Sequence, residues 1–283
     1  MFRGCPHSSD QFLKEKYFIE ELHKQTRVPV PFPFRLEESS ALFGWSFGIM
    51  PRLPGVSPIG GGSRMDCTPG EHKDIARALA RNLREMQRLT YPQSGFFDEA
   101  TCLIRPVKQG LHKWMADFIH EKVDEAMNAN GHTTEADVSW INKIVAELFD
   151  RDVAGFVPCF VHADYGAHNA TVQRTENGWA VTGVFDFMTA YVGNGEIDLC
   201  SPVYQYVEST PEVADVFLEE YFHDESPNSG FRERQRFYSV SLMVSMWAYW
   251  QKQKGHVPGD SDGSLSFTDW AHGVVEYWNK FRD

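Results

Sequence analysis

The chain has 283 residues, of which 42% are hydrophobic, and this suffices for one large domain or for two lobes with apolar cores. Its formal net charge of -12 at pH 7 argues against a nucleic-acid partner, because phosphate contacts require clustered Lys and Arg side chains. No stretch reaches the roughly 20 apolar residues of a membrane-spanning helix, so we expect no membrane partner.

The cysteines indicate a reducing compartment. They are odd in number, widely spaced and never arranged as CxxC: Cys5, Cys67, Cys102, Cys159 and Cys200. This pattern suggests neither a disulfide framework nor a zinc knuckle. The N-terminus also lacks the basic-then-apolar pattern of a signal peptide. We therefore expect a cytoplasmic protein.

The first 55 residues are predicted to form a helix followed by short extended segments. Residues 9–25 begin with capping residues and carry their apolar side chains on one imperfect helical face. The prolines of VPVPFPF, residues 28–34, favour extended backbone. The stretch ALFGWSFGIMPRLPG, residues 41–55, predicts a strand, a turn and a second strand. We interpret residues 1–55 as a partial N-terminal lobe and a hinge.

Residues 56–283 are predicted to form a second, mostly helical part. It begins with a glycine- and proline-rich crossing at residues 56–70, which contains Gly60, Gly61 and Gly62. Helices are predicted at residues 72–86, 110–128, 138–150, 203–223, 231–254 and 268–282. Two β-rich runs separate the third helix from the fourth, and Asn177-Gly178 within the second run is a strong hairpin signal. The predicted fold class is α+β.

Polar side chains flank this hairpin. The segment FVHADYGAHN, residues 160–169, precedes it and GVFDF, residues 183–187, ends it. A tight hairpin brings its two ends together, so Asp164, Asn169 and Asp186 can converge on one pocket. Oxygen donors of this kind suit Mg²⁺, which is typically shared between one or two carboxylates and substrate phosphates. Asn169 and Asp186 would then hold the metal, and Asp164 would orient and deprotonate a hydroxyl group.

The spacing of these residues resembles a known family. His162, Asp164 and Asn169 stand in the order H-x-D-x-x-x-x-N, and an aspartate, Asp186, follows the hairpin. This resembles the aminoglycoside phosphotransferase and choline kinase-like family, whose members share the protein-kinase fold. The resemblance implies a protein-kinase-like two-lobe fold with a truncated β-containing N-lobe and a mostly helical C-lobe. It also implies Mg²⁺-dependent transfer of the γ-phosphate of ATP to a hydroxyl of a small molecule.

The resemblance assigns further roles around the catalytic Asp164. GNGEIDLC, residues 193–200, looks like the family's G-D-P-x-x-D-L-A segment, so Asp198 would brace the catalytic loop. His162 would be a packed, hydrogen-bonded residue that shapes this loop. LKEKYFIEELHKQTRVPVP resembles the family's R-E-x-x-x-L helix, and FGIMPRLPG resembles its hinge. The nucleotide-binding residues implied are Arg3, Glu15, Met50, Arg52 and Leu53.

One departure from the family pattern concerns the phosphate-binding flap. Only MFRGC precedes the first helical segment, so the family's glycine-rich strand pair is absent from this sequence. Arg3 stands where the family has the lysine that binds the nucleotide phosphates. Either Met1 is not the true start or the protein evolved without this flap. The second explanation favours an alternative function, a non-catalytic kinase-fold protein that binds a nucleotide or a partner.

Other interpretations of the segment remain open. His162 and His168 around Asp164 could suggest zinc, although a third ligand is not evident nearby. A metal-dependent hydrolase built on Asp164, His162 and Asp186 is a further alternative. His168 could be a solvent-facing loop residue, and Asp186 alone could be a turn residue. The acceptor and the oligomeric state do not follow from the sequence.

Overall fold

The computed structural model describes residues 1–4, 11–60, 63–130, 132–149, 155–223, 225–258, 260 and 263–281. The chain divides into two compact units. Unit 1 comprises Met1–Val107, Val157–Pro202 and Glu212–Asp224, and unit 2 comprises Lys108–Phe156, Val203–Pro211 and Glu225–Asp283. Cys5, Gly61 and Gly62 lie outside the described residues, and the predicted division near residue 55 stays a prediction.

The helices are α1 (Gln11–Gln25), α2 (Pro69–Met86), α3 (Leu111–Asn130), α4 (Glu135–Phe149), α5 (Cys200–Val207), α6 (Pro211–Phe222), α7 (Phe231–Lys254) and α8 (Phe267–Glu276). The strands are β1 (Phe2–Gly4), β2 (Arg35–Glu37), β3 (Phe47–Ile49), β4 (Ile59–Gly60), β5 (Ser63–Arg64), β6 (Gly95–Asp98), β7 (Leu103–Pro106), β8 (Cys159–Val161), β9 (Ala170–Thr175), β10 (Gly178–Val184) and β11 (Tyr191–Gly193). Within the described residues, none of the helices is both long and apolar enough to cross a membrane.

Unit 1 carries these strands in small antiparallel sheets. One sheet has the order β1-β3-β2 and another has the order β7-β6-β11-β8. β9 and β10 form the predicted hairpin, in which Gly178 pairs with Thr175 and has a φ of 98° that favours glycine. The β11-β8 end of the second sheet is buried, since every residue of β8 and of β11 is buried. The loops that leave β8, β10 and β11 are therefore anchored in a core.

Helix α1 explains why its sequence pattern looks imperfect. Phe12, Phe18, Ile19 and Leu22 are buried on its inner face, and Glu15 is buried among them with 1% exposure. A carboxylate on a core face requires a partner, because burial of an unpaired charge is strongly unfavourable. The predicted first residues of this helix, 9 and 10, lie outside the described part.

The N-terminal cap of helix α2 determines where the helix begins. The Thr68 side chain accepts from the Glu71 amide, and the Glu71 carboxylate accepts from the Thr68 amide, which forms a capping box. The helix therefore starts at Pro69, three residues before the predicted start, and its apolar stripe of Ile75, Leu79 and Leu83 is buried as predicted.

Unit 2 contains a helical core built around large aromatic residues. Trp247 and Trp278 are fully buried, and each indole nitrogen has a hydrogen-bond acceptor. Trp247 Nε1 donates to Thr133 Oγ1 at 2.9 Å, and Trp278 Nε1 donates to Ser239 Oγ at 2.8 Å. The aromatic residues of α7 differ in burial: Trp247 packs in the core, whereas Tyr249 is 57% exposed.

Three predicted elements were wrong. Residues 41–46 form turns rather than the first of two strands, and only Phe47–Ile49 is extended. The single helix predicted at 203–223 is two helices, because Pro211 starts a new helix after the turn at 208–210. The last helix ends at Glu276 and continues as a 3-10 turn over Tyr277–Lys280 instead of running to residue 282.

Candidate active site

The loop between β8 and β9 carries the predicted catalytic residues. It is held at its start by Asp198, whose Oδ2 accepts from the His162 amide at 2.8 Å and whose Oδ1 accepts from the Ala163 amide at 2.7 Å. These two hydrogen bonds hold the backbone at Ala163, which has a φ of 64°. This left-handed conformation costs a non-glycine residue about 1 kcal/mol or more. Asp198 is therefore placed to brace the loop.

Asp198 itself is 1% exposed. Burial raises its pKa to about 7, although its two amide hydrogen bonds act in the opposite direction. Its segment, the 3-10 turn Gly195–Leu199, is fixed by the Asn194 side chain, which accepts from the Glu196 amide.

Asp164 projects from the loop with its side chain 46% exposed. His168 Nε2 lies 3.0 Å from Oδ1, and Asn169 Nδ2 donates to Oδ2 at 2.8 Å. Burial alone would raise the pKa of Asp164, but the neighbouring His168 and the hydrogen bonds outweigh burial and lower it. Asp164 is thus an oriented, ionised carboxylate that can accept a proton.

Asn169 is 6% exposed and is locked in one orientation. Its amide nitrogen donates both to the Asp164 carboxylate and to the Asp164 carbonyl, each at 2.8 Å. Because the NH₂ group is used in this way, Oδ1 is the side-chain atom left to act as a ligand. The Phe185 amide donates to the Asn169 carbonyl at 3.1 Å, which brings the backbone before Asp186 next to Asn169.

Asp186 leaves β10 in a left-handed conformation with φ 68° and ψ 60°. This conformation is uncommon outside glycine and is stabilised by the residues around it. His162 Nε2 donates to the Phe185 carbonyl at 3.0 Å, and the rings of His162 and Phe187 lie 5.2 Å apart. The Asp186 side chain is 32% exposed.

His162 is a packed residue of the loop, as the sequence suggested, with no exposed surface. Its carbonyl also accepts from Thr189 Oγ1 at 3.0 Å. Burial lowers its pKa and so favours the neutral ring. In the described part of the chain its buried Nδ1 has no hydrogen-bond partner. Together with its Phe185 contact, these features link the catalytic loop to the Asp186 segment.

Arg3 lies between two carboxylates. Its Nη2 is 2.7 Å from Asp186 Oδ1 and 3.2 Å from Glu15 Oε1. Glu15 also accepts from Gln11 Nε2 at 2.9 Å. Burial raises the pKa of Glu15 and Arg3 partly opposes this effect. The structure thus joins Arg3, Glu15 and Asp186 into one charged cluster beside the catalytic loop.

The segment with the implied nucleotide-binding residues Met50, Arg52 and Leu53 follows β3. Met50 is 4% exposed, and both its backbone groups pair with Met1: its amide donates to the Met1 carbonyl at 3.1 Å, and its carbonyl accepts from the Met1 amino group at 2.6 Å. Arg52 is exposed, and among the described residues nothing pairs with its side chain. Leu53 approaches Gly183 so closely that a Cβ there would come within 2.5 Å of Leu53 Cδ1.

Two contacting residues were missed by the sequence predictions. His168 was left as a possible solvent-facing residue, although it lies four positions after Asp164 in the same loop and contacts it. Gln87 donates to the Gly195 carbonyl and accepts from the Tyr221 hydroxyl, each at 2.8 Å, and so supports the segment that carries Asp198. The histidine spacing was visible in the sequence, whereas nothing local in the sequence signals the Gln87 contacts.

The side-chain oxygens of the site can be compared with the ligands that a metal ion requires. In the described ranges there is no group of three or more His, Cys, Asp or Glu side chains that could hold a metal ion. The oxygens at hand are Asn169 Oδ1 and the Asp186 carboxylate. One amide oxygen and one carboxylate match the protein ligands that Mg²⁺ uses when phosphates and water complete its shell.

Comparison with solved structures places this fold. One solved structure is of a protein from Ralstonia eutropha JMP134 that is described as an aminoglycoside phosphotransferase. The match covers 100% of this chain and 86% of the Ralstonia chain, with 14% sequence identity and a TM-score of 0.67. A thermostable mutant of APH(4)-Ia, in a ternary complex with AMP-PNP and hygromycin B, matches 96% and 83%, with 16% identity and a TM-score of 0.63. The GDP complex of aminoglycoside 2'-phosphotransferase-IIIa matches 99% and 84%, with 16% identity and a TM-score of 0.63.

These likenesses confirm the predicted α+β, protein-kinase-like fold. Among curated protein sequences, none matches the chain. A family model described as the phosphotransferase enzyme family, APH, matches residues 2–235, which confirms the resemblance drawn from the catalytic-loop residues. This chain belongs to the phosphotransferase enzyme family.

Proposed function

We propose that the chain transfers the γ-phosphate of ATP to a hydroxyl group of a small molecule. The observation that carries the proposal is the geometry of Asp164, whose two carboxylate oxygens are oriented by His168 and Asn169 on a loop that Asp198 braces. The solved relatives bound to AMP-PNP or GDP support a nucleotide donor, and the hygromycin B complex supports a hydroxylated acceptor.

Asp164 would orient the acceptor hydroxyl and take its proton. Its lowered pKa keeps it ionised at neutral pH, and its partial exposure leaves room for a hydroxyl beside it. Phosphoryl transfer depends mainly on positioning and on charge neutralisation, so an oriented carboxylate contributes even when proton transfer is late.

Asn169 Oδ1 and the Asp186 carboxylate would hold Mg²⁺. When bound, this ion would neutralise charge on the nucleotide phosphates. Because Arg3 already contacts Asp186 Oδ1, the second Asp186 oxygen is the one ready for a ligand. Arg3 would add positive charge for the phosphates, and Glu15 would hold Arg3 in place.

The adenine base would bind along residues 50–53. Because both Met50 backbone groups pair with Met1, we assign the base to the backbone of Arg52 and Leu53. Neither of these two residues has a backbone hydrogen bond within the described chain. Pro51 cannot donate, so the Arg52 and Leu53 amides are the available donors.

The test is transfer of label from γ-labelled ATP to a panel of aminoglycosides, amino alcohols and sugars, with water as the background acceptor. We expect transfer to at least one acceptor, and a fall of more than about a hundredfold in Asp164→Asn, since this change removes the proton acceptor but keeps the shape. Asp66→Asn, an exposed aspartate, is the matched control. Nucleotide binding without transfer to any acceptor or to water would instead favour the non-catalytic alternative.

A further inference from the structure

The residue that follows the candidate proton acceptor is tied to helix α2. Tyr165 comes directly after Asp164 in the chain, and its side chain has no exposed surface. The Tyr165 hydroxyl donates to the Leu79 carbonyl at 2.8 Å and accepts from Asn82 Nδ2 at 3.2 Å. Leu79 and Asn82 lie inside α2, at 86 and 83 positions from Tyr165 in the chain. We call these two contacts of the hydroxyl the Tyr165 anchor.

The polar groups of the anchor lie in a core that is otherwise apolar. Asn82 is 9% exposed, and its neighbours on the buried side of α2 include Leu79 and Leu83, which have no exposed surface. A hydroxyl and an amide are costly to bury unless they are hydrogen-bonded. Apolar side chains of the same shape would serve packing equally well, because replacing both partners of a buried hydrogen bond costs little stability. The polar pair therefore adds direction, since a hydrogen bond fixes where the hydroxyl lies whereas apolar packing is non-directional.

The anchor holds the backbone on the far side of Asp164 from Asp198. Asp198 accepts from the amides of His162 and Ala163, the two residues before Asp164. The anchor holds the residue after it, and the Tyr165 ring also packs near the His162 ring, with the ring centroids 6.0 Å apart. The backbone of Asp164 is thus held from both directions, by Asp198 on one side and by α2 on the other.

We propose that Tyr165 is a positioning residue for the phosphate transfer in which Asp164 takes part. This inference rests on the proposed function and adds a residue that touches neither nucleotide nor acceptor, since Tyr165 is wholly buried. Its hydroxyl acts through the backbone: it fixes the loop to α2, so that the Asp164 carboxylate meets the acceptor hydroxyl in one place. Precise placement of a reacting group is decisive, because a displacement of about 1 Å can lower turnover about a hundredfold.

Tyr165→Phe tests the proposal, because it removes the hydroxyl and keeps the ring. We expect kcat to fall about tenfold and the KM for ATP to stay unchanged, since only the placement of Asp164 is altered. Asn82→Leu keeps the hydrogen bond to Leu79 and should lower kcat only about twofold. The double variant Tyr165→Phe/Asn82→Leu removes both polar partners, so its free energy of unfolding should return towards the wild-type value while kcat stays low. An unaltered kcat in Tyr165→Phe, or a kcat that recovers together with stability in the double variant, would overturn the proposal.

Hydrogen exchange tests the anchor without any catalysis. Amides of residues 162–169 should exchange about fivefold faster in Tyr165→Phe than in the wild type, whereas those of the β9–β10 hairpin should not change. Tyr238→Phe removes another buried, hydrogen-bonded hydroxyl and is the matched control, which should leave the exchange of residues 162–169 unaltered. A wild type that transfers phosphate to no acceptor would contradict the proposed function, and faster exchange confined to the loop would still support the anchor. Exchange that is unchanged in Tyr165→Phe, or faster to the same degree in loop and hairpin, would overturn it.

Discussion

Arg3 Nη2 lies 2.7 Å from Asp186 Oδ1, although the two residues are 183 positions apart in the chain. The same nitrogen contacts the buried Glu15, so one guanidinium is shared by a helix carboxylate and a carboxylate next to the catalytic loop. This arrangement links the first strand, the first helix and the end of the β9–β10 hairpin. In the proposed function, Arg3 would shift from Asp186 towards a bound phosphate while keeping its contact with Glu15.

The first prediction concerns this shared cation. Arg3→Ala should weaken ATP affinity about tenfold, because one cation near the phosphates is lost. The free energy of unfolding should fall by about 2 kcal/mol, since Glu15 loses a charged partner. Calorimetric titration and chemical denaturation measure the two effects. Lys24→Ala, an exposed cation at the end of α1, should change neither, and unaltered ATP affinity in Arg3→Ala would contradict the assigned role.

The second prediction concerns the pH dependence that Asp198 confers. Burial raises its pKa from 3.8 to about 7 in the folded protein. Between these values the folded state binds more protons than the unfolded state, so the stabilising contribution is full below pH 3.8 and is lost as the pH rises through about 7. Asp198→Asn cannot titrate. The free energy of unfolding of the wild type relative to Asp198→Asn should therefore fall between about pH 4 and pH 7 and be constant above.

Denaturant unfolding at a series of pH values measures this difference. Asp66→Asn, at an exposed aspartate, is the control for the effect of an Asp→Asn substitution as such. A wild-type minus Asp198→Asn difference that does not vary with pH would mean that Asp198 is already ionised in the folded protein. Asp198→Asn should also reduce phosphate transfer, because an amide cannot accept from both the His162 and the Ala163 amides.

The third prediction concerns His168. His168→Ala should lower kcat about tenfold and leave the KM for the nucleotide unchanged, because only the orientation of Asp164 is lost. His168→Gln retains an N–H donor and should recover most of the loss. His272→Ala, at an exposed histidine, should behave as the wild type. Equal kcat values for His168→Ala and the wild type would show that Asn169 alone orients Asp164.

The fourth prediction concerns acid stability in unit 2. His112 Nε2 lies 2.7 Å from the Tyr238 hydroxyl, and burial, with Arg234 nearby, lowers the His112 pKa from 6.5 to about 4. The neutral ring thus stabilises the fold fully above pH 6.5, and this contribution is lost as the pH falls through about 4. The stability difference between the wild type and His112→Gln should shrink over that range in acid titrations of unfolding. A stability difference between the wild type and His112→Gln that stays constant with pH would contradict the lowered pKa of His112.

The sequence predicted the elements whose signals are local. The hairpin at Asn177-Gly178 follows from turn chemistry, and the buried stripe of α2 follows from helical periodicity. The candidate catalytic loop was proposed from the spacing of residues within eight positions, from His162 to Asn169. These features depend on neighbours in the chain, so a single sequence contains them.

The features that the sequence missed depend on tertiary contacts. β6 and β7 are four residues each, and they gain their stability by joining β11 and β8 in one sheet. The Gln87 contacts to Gly195 and Tyr221 join segments 108 and 134 residues away. Residues 41–46 were predicted to hold a strand, and aromatic residues favour strands, yet in the structure Phe43 and Trp45 are exposed residues of a turn. Propensity alone does not distinguish these environments.

The most direct test of the central claim is calorimetric titration of ATP into the wild type and Asp186→Asn, each with and without Mg²⁺. We expect the wild type to bind ATP with an affinity that Mg²⁺ raises. We expect that Asp186→Asn, which keeps the shape of the side chain but loses its charge, no longer responds to Mg²⁺. GTP titrated in parallel tells which base the Arg52–Leu53 backbone accepts. Absence of nucleotide binding by a folded wild type, or a Mg²⁺ response that Asp186→Asn retains, would contradict a Mg²⁺-nucleotide site at Asp186.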